Sequence, residues 1–191
     1  MLKTIKLTIL SLLCVVYGFE AFSQIGLAVK LGGNLSHANG LSFRSSNRLG
    51  FQVGGVLRYY FHSNMAIQAE PTFHLSRIRA NSATLEKNNG IKKGNKALHS
   101  FGLPVLFKLN VTPSFALLGG VEFDKLLNTE EYLLNNGEQA FKGGYRTGYS
   151  FGAEMGKIYF RYRSIRQGTR IYNNWNADIQ QYQFGVKWNI F

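Results

Sequence analysis

The chain has 191 residues, with 22 Lys+Arg against 10 Asp+Glu for a net charge of +12, and it is rich in aromatics (14%) and Gly (21) but holds only 3 Pro. That length fits one domain and leaves too little for two. The charge alone points to an anionic partner, yet so many Tyr, Phe and Gly with only 17% charged residues fit a β-rich protein and argue against a helical nucleic-acid binder.

The first residues read as a secretory signal. Lys3 and Lys6 are followed by an apolar run from Leu7 to Phe19, then by Ala21-Phe22-Ser23, with small residues where a signal peptidase reads them. The run is too short for a membrane-spanning helix, which needs ~20 apolar residues. We therefore expect residues 1–23 to be removed and residues 24–191 to form the domain, with Gln24 at its start. The single cysteine, Cys14, lies inside the apolar run. Leu13 before it is too bulky for lipoprotein processing, so the mature chain has no cysteine and no disulfide, Cys nucleophile or Cys-bound metal. Without Lys3, Lys6 and Glu20 the net charge is +11.

Eight segments then alternate apolar and polar or small residues. The first runs Ile25, Leu27, Val29, Leu31 against Gly26, Ala28, Lys30, Gly32. The second sets Phe51, Val53, Leu57, Tyr59 against Gln52, Gly54, Arg58, and the third Ile67, Ala69, Pro71, Phe73, Leu75 against Gln68, Glu70, Thr72, His74, Ser76. The fourth spans Ser100 to Leu109, the fifth Phe115 to Asp124, the sixth Tyr149 to Met155, the seventh Ile158 to Arg163 and the eighth Gln181 to Ile190. Period two is the mark of strands with two unlike faces, and helical spacing fits poorly.

The links between segments separate a membrane barrel from a soluble sandwich. After segments two, four and six they are short: His62–Asn64, Asn110–Ser114 and Gly156–Lys157. After segments one, three, five and seven they are long and polar: Ser36–Arg48, Arg79–Lys96, Asn128–Gly144 and Arg166–Ala177. Tight periplasmic turns alternating with long external loops are the plan of an outer-membrane barrel. The expected fold is therefore all-β, an eight-stranded antiparallel up-and-down transmembrane β-barrel in the bacterial outer membrane. Tyr59, Tyr60, Phe61, Trp188 and Phe191 sit at strand ends, where interfacial aromatics form girdles. Phe191 is out of phase with Ile190, Trp188 and Val186. Pro71 and Pro104 fall inside strands, so each is expected at a bulge or a missing ladder bond.

The chain resembles the small PorT-like outer-membrane barrels of the Bacteroidota. The resemblance runs over nearly all the mature chain. It rests on Lys30-Leu31-Gly32-Gly33-Asn34-Leu35-Ser36, Leu103-Pro104-Val105-Leu106-Phe107-Lys108, Gly119-Gly120-Val121, Phe151-Gly152-Ala153-Glu154, Arg161-Tyr162 and the Ser23-Gln24 junction. Acidic residues common there before the fourth-strand proline are replaced by Phe101-Gly102-Leu103. The resemblance implies the same barrel and, through the family's named member, a part in protein secretion.

With the polar phase turned inward, the lumen is expected to hold Lys30, Arg58, Lys108, Arg146, Arg161, Arg163 and Lys187 against Glu70, Glu122, Asp124 and Glu154. Eight strands enclose just enough room for their own side chains, so these charges read as a packed, structural ion-pair network. Their cationic surplus also suggests a narrow anion-favouring channel. His74 with Ser76 and Ser100 raises a lipid hydrolase, but no nucleophile elbow is present and all three point to the lumen, so no catalytic residue is assigned. His37, His62 and His99 are scattered, no metal-ligand spacing occurs and no cofactor is implied. In the second long link Arg79, Lys87, Lys92, Lys93 and Lys96 are candidates for contact with lipopolysaccharide phosphates, whereas the third long link is acidic, with Glu130, Glu131 and Glu138. Outer-membrane lipid and lipopolysaccharide are the expected partners; nucleic acid is not.

Overall fold

The computed structural model describes residues 24–40, 45–80, 94–128, 143–168 and 176–190. Ten strand segments follow one another: β1 (Ile25–Gly40), β2 (Ser45–Ser46), β3 (Arg48–His62), β4 (Met65–Ala69), β5 (Thr72–Ala80), β6 (Gly94–Thr112), β7 (Phe115–Leu126), β8 (Tyr145–Met155), β9 (Ile158–Gly168) and β10 (Asn176–Asn189). Every pairing is antiparallel, and β1 pairs with both β3 and β10, as in Leu31 opposite Val53 on one side and Val186 on the other. The sheet therefore closes on itself and leaves no long edge, the condition for a sheet that crosses a bilayer.

The ten segments make eight staves. β4 and β5 are one stave, broken at Glu70-Pro71, and β2 is a two-residue piece that pairs with Arg79 and Ala80 at the outer end of β5. The break follows from chemistry, since Pro71 has no amide hydrogen to give the ladder. Its carbonyl still accepts from the Gly55 amide at 3.0 Å, and the Glu70 amide donates to the Pro104 carbonyl at 3.0 Å. Pro104 sits within an unbroken β6, facing that same gap, so the missing ladder bonds of both prolines share one place.

Three two-residue turns close one end: Ser63-Asn64, Pro113-Ser114 and Gly156-Lys157. Gly156 adopts φ 58°, a left-handed conformation that a tight hairpin needs and glycine supplies without strain. At the opposite end the strands run further than the sequence pattern predicts. β1 continues to Gly40, β6 starts at Gly94, β9 reaches Gly168 and β10 begins at Asn176. The long links are correspondingly shorter than expected. Ladder hydrogen bonds carry the staves past the last apolar residue, because backbone pairing does not depend on side-chain polarity.

The two faces are the reverse of a soluble protein. Lys30 is 1% exposed while its neighbours Val29 and Leu31 are 45% and 51% exposed, and this alternation recurs on every stave. An outer wall of Leu, Val, Phe and Ile girdles the barrel. In water a belt of that size would aggregate; in a bilayer it is the matched surface. Tyr59, Phe61 and Trp188 face outward near the short-turn end, as expected of a girdle. Tyr60 does not: it shares the inward phase and lines the mouth of the lumen. The side chain of Phe191 lies outside the described residues.

Candidate functional site: the charged lumen

The inward phase of the staves puts long polar side chains on a common axis. Glu70, at the break between β4 and β5, is the centre. It takes Lys30 Nζ from β1 at 2.6 Å and the Arg161 guanidinium from β9, with Nη2 to Oε1 at 2.9 Å and Nη1 on Oε2. Gln68 Nε2 donates to the same carboxylate. All four side chains are buried. Tyr159 packs beside both cations, its ring 5.8 Å from Lys30 Nζ and 5.9 Å from Arg161 Cζ, and its hydroxyl oxygen accepts a hydrogen bond from Gln52 Nε2 at 2.9 Å. Room for that phenol exists because Gly32 and Gly185 face it. A Cβ on either would collide with the Tyr159 hydroxyl and with a backbone carbonyl of the facing strand, Phe184 for Gly32 and Leu31 for Gly185.

Two more carboxylate groups flank this centre. Toward the short-turn end Glu154 pairs with Lys108 at 2.9 Å and with Lys187, and accepts from Gln68 Nε2 at 3.0 Å. Toward the long-loop end Arg163 bridges Glu122 at 3.0 Å and Asp124 at 2.9 Å. Of the eleven charged residues assigned to the lumen, ten have buried side chains. Arg146 is half-buried at the mouth, in register with Asp124, and donates to the Gly143 carbonyl at 3.0 Å. Sequence reasoning left out Gln68, whose amide joins Arg58, Glu70 and Glu154, and the other polar side chains that fill the lumen, Gln52, Gln181, Gln183, Asn34 and Tyr159. All are buried, and their parity with the neighbouring charges was the signal available.

His74 is buried in the same lumen, its Nε2 3.8 Å from Glu122 Oε1. Ser100 is its cross-strand neighbour, and Ser76 is occupied as acceptor for Gln181. Of the candidate lipopolysaccharide contacts, Arg79 is exposed at the outer end of β5. Lys96 lies in β6 opposite Ile78 and not in a loop, since β6 extends further than predicted. Lys87, Lys92 and Lys93 lie outside the described residues.

Packing is uneven along the axis. Beside Ser76, Ser100, Asp124, Arg163 and Gln181 the remaining space is about 10 Å³, no more than one water needs. Below the Glu70–Arg161 centre a cavity of about 620 Å³ opens toward the short turns, bordered by Arg58, Lys108, Glu154, Lys187, Lys157 and Asn189 among others.

A closed antiparallel barrel with a greasy wall and a charged filling limits the protein to few families. The family model described as outer membrane protein beta-barrel domain matches residues 21–191. The chain belongs to this family. The short turns of an outer-membrane barrel face the periplasm, so the 620 Å³ cavity is a periplasmic vestibule. Among solved structures the barrel is similar to Neisserial surface protein A (TM-score 0.50, 10% identity, 84% of this chain and 95% of that one). It also matches the attachment invasion locus protein Ail of Yersinia pestis (TM-score 0.46, 10% identity, 85% and 98%) and OprG from Pseudomonas aeruginosa (TM-score 0.45, 11% identity, 86% and 95%). At such identities the first likeness speaks for the fold alone. No curated protein matches the chain in sequence.

Proposed function

We propose that this outer-membrane barrel works without catalysis, as a structural or interaction protein of the envelope and an accessory to secretion. The observation that carries the reading is the filled lumen: at mid-height the interior is occupied by Glu70, Arg161, Lys30 and their amide partners, so what is left to act is the wall and the ends. The resemblance to the PorT-like barrels of the Bacteroidota supports the secretion role, and the Lys3-to-Ser23 layout supports export by a cleaved signal. Arg79 at the outer rim supports contact with lipopolysaccharide phosphates. A strain lacking the gene tests the whole: impaired secretion or a leaky envelope is expected, together with an envelope protein recovered by cross-linking to the wild-type barrel. Normal secretion, normal envelope integrity and no cross-linked partner would reject it.

A small passive channel is the second reading, favoured by the vestibule and by the surplus of lumen cations. Single-channel recording of the purified barrel in a planar bilayer decides it, and silence removes it. The hydrolase reading has only His74 and Glu122 near each other, at 3.8 Å, to support it, and unchanged lipid A in a His74→Ala strain ends it.

A further inference from the structure

We propose that the periplasmic vestibule is a binding site for a small, multiply charged anion of phosphate chemistry. The cavity measures about 620 Å³, within the roughly 300–1,000 Å³ common for small-molecule sites. Four cations border it: Arg58, Lys108, Lys187 and, on the rim turn, Lys157. Among the described residues the only carboxylate on its lining is Glu154, which Lys108 and Lys187 already share.

Arg58 is the deciding residue. Its side chain is buried, yet its partners are neutral: Nε donates to Gln68 Oε1 at 2.9 Å and Nη1 to Asn189 Oδ1 at 2.9 Å. Among the described residues no carboxylate reaches it. Burying a cation this way is costly unless an anion completes the site. The two amide oxygens fix the plane of the guanidinium and leave Nη2 for the cavity, and a planar fork is the group best matched to phosphate oxygens. Lys108 on β6 and Lys187 on β10, each two staves from Arg58 and both tethered to Glu154, supply further positive potential from its two flanks. Arg58, Lys108, Glu154 and Lys187 belong to the inward phase of the staves and the remaining lining includes the short turns, so the site opens to the aqueous periplasm and not to lipid. The proposal goes beyond the structural role above and stands whether or not the barrel assists secretion.

Calorimetric titration of the folded, detergent-solubilised barrel with inorganic pyrophosphate at low ionic strength tests this. Saturable one-to-one binding is expected. Arg58→Gln, checked for folding by heat-modifiable gel mobility, should weaken it by ~10-fold or more, the worth of one charge-assisted hydrogen bond. Lys157→Gln, on an exposed turn where folding is not at risk, should weaken it several-fold. Arg79→Gln, at the other mouth, should leave it unchanged. Absence of saturable binding, or equal losses from Arg79→Gln and Arg58→Gln, overturns the proposal.

Discussion

Arg161 on β9 grips Glu70 on the opposite wall through both ends of its guanidinium, and the pair lies buried at the centre of the barrel, 91 residues apart in the chain. Lys30 shares the same carboxylate. One acid thus holds two cations from two different staves. Glu70→Ala leaves both without their main partner, and a stranded buried charge costs about 3–5 kcal/mol. Urea unfolding of the barrel in phospholipid vesicles should show a loss of that order. Arg79→Ala, an exposed change, should stay within ~0.5 kcal/mol of wild type. A Glu70→Ala barrel as stable as the Arg79→Ala one would mean that the network contributes nothing to folding.

Tyr159 fits because Gly32 and Gly185 yield space to its hydroxyl. Gly32→Ala should therefore lower stability by about 1–3 kcal/mol, the usual cost of overpacking. Gly26 is the control: a Cβ there meets nothing nearer than 3.6 Å, so Gly26→Ala should fold as the wild type does. A Cβ on Gly32 would also meet the Phe184 carbonyl of the facing strand, so chemical denaturation of Gly32→Ala should be compared in the Tyr159→Phe background, where the part of the loss due to the hydroxyl disappears.

The outer wall makes a prediction of opposite sign to a soluble protein. Val121 faces outward near mid-height of β7 and is 53% exposed, so in water an arginine there would be harmless. Facing lipid, Val121→Arg should destabilise the barrel by about 2–4 kcal/mol, while Lys125→Arg on the same face, nearer the rim, should be neutral. If Val121→Arg is tolerated and the protein stays monodisperse without detergent, the wall is not a lipid surface.

The central ion pairs close the lumen, so wild-type barrels should give no steady current in a planar bilayer. Replacing both Glu70 and Arg161 by alanine removes the ion pair at the centre of the constriction and should produce discrete conductance steps. Gel mobility before and after boiling verifies that the double variant is folded. Steady current from the wild type would show a path that the packed centre does not block.

Much of the architecture was legible in the chain because a barrel wall obeys a local rule. Each stave must show grease outside and polarity inside, and period two writes that rule into every segment, from Val29-Lys30-Leu31 to Val186-Lys187-Trp188. The same parity assigned eleven charges to the lumen, and ten of these side chains are buried. Strand ends were less legible: Lys96 reads as loop by its polarity, yet β6 includes it, since ladder bonds extend beyond the lipid-facing stretch. The prolines announced a defect at Pro71 and Pro104, but only register showed that both fall at one gap, where Glu70 is set.

The sequence by itself determined the faces of the staves, the side of the barrel on which each charge sits and the alternation of short and long links. Which acid meets which base was decided by tertiary structure alone. Glu70 joins Lys30 and Arg161, and Arg58 is left with neutral amides, because closure and stagger of the sheet bring distant staves to a common height. Parity along a strand carries no information about that height; it exists only once β1 has paired with β10.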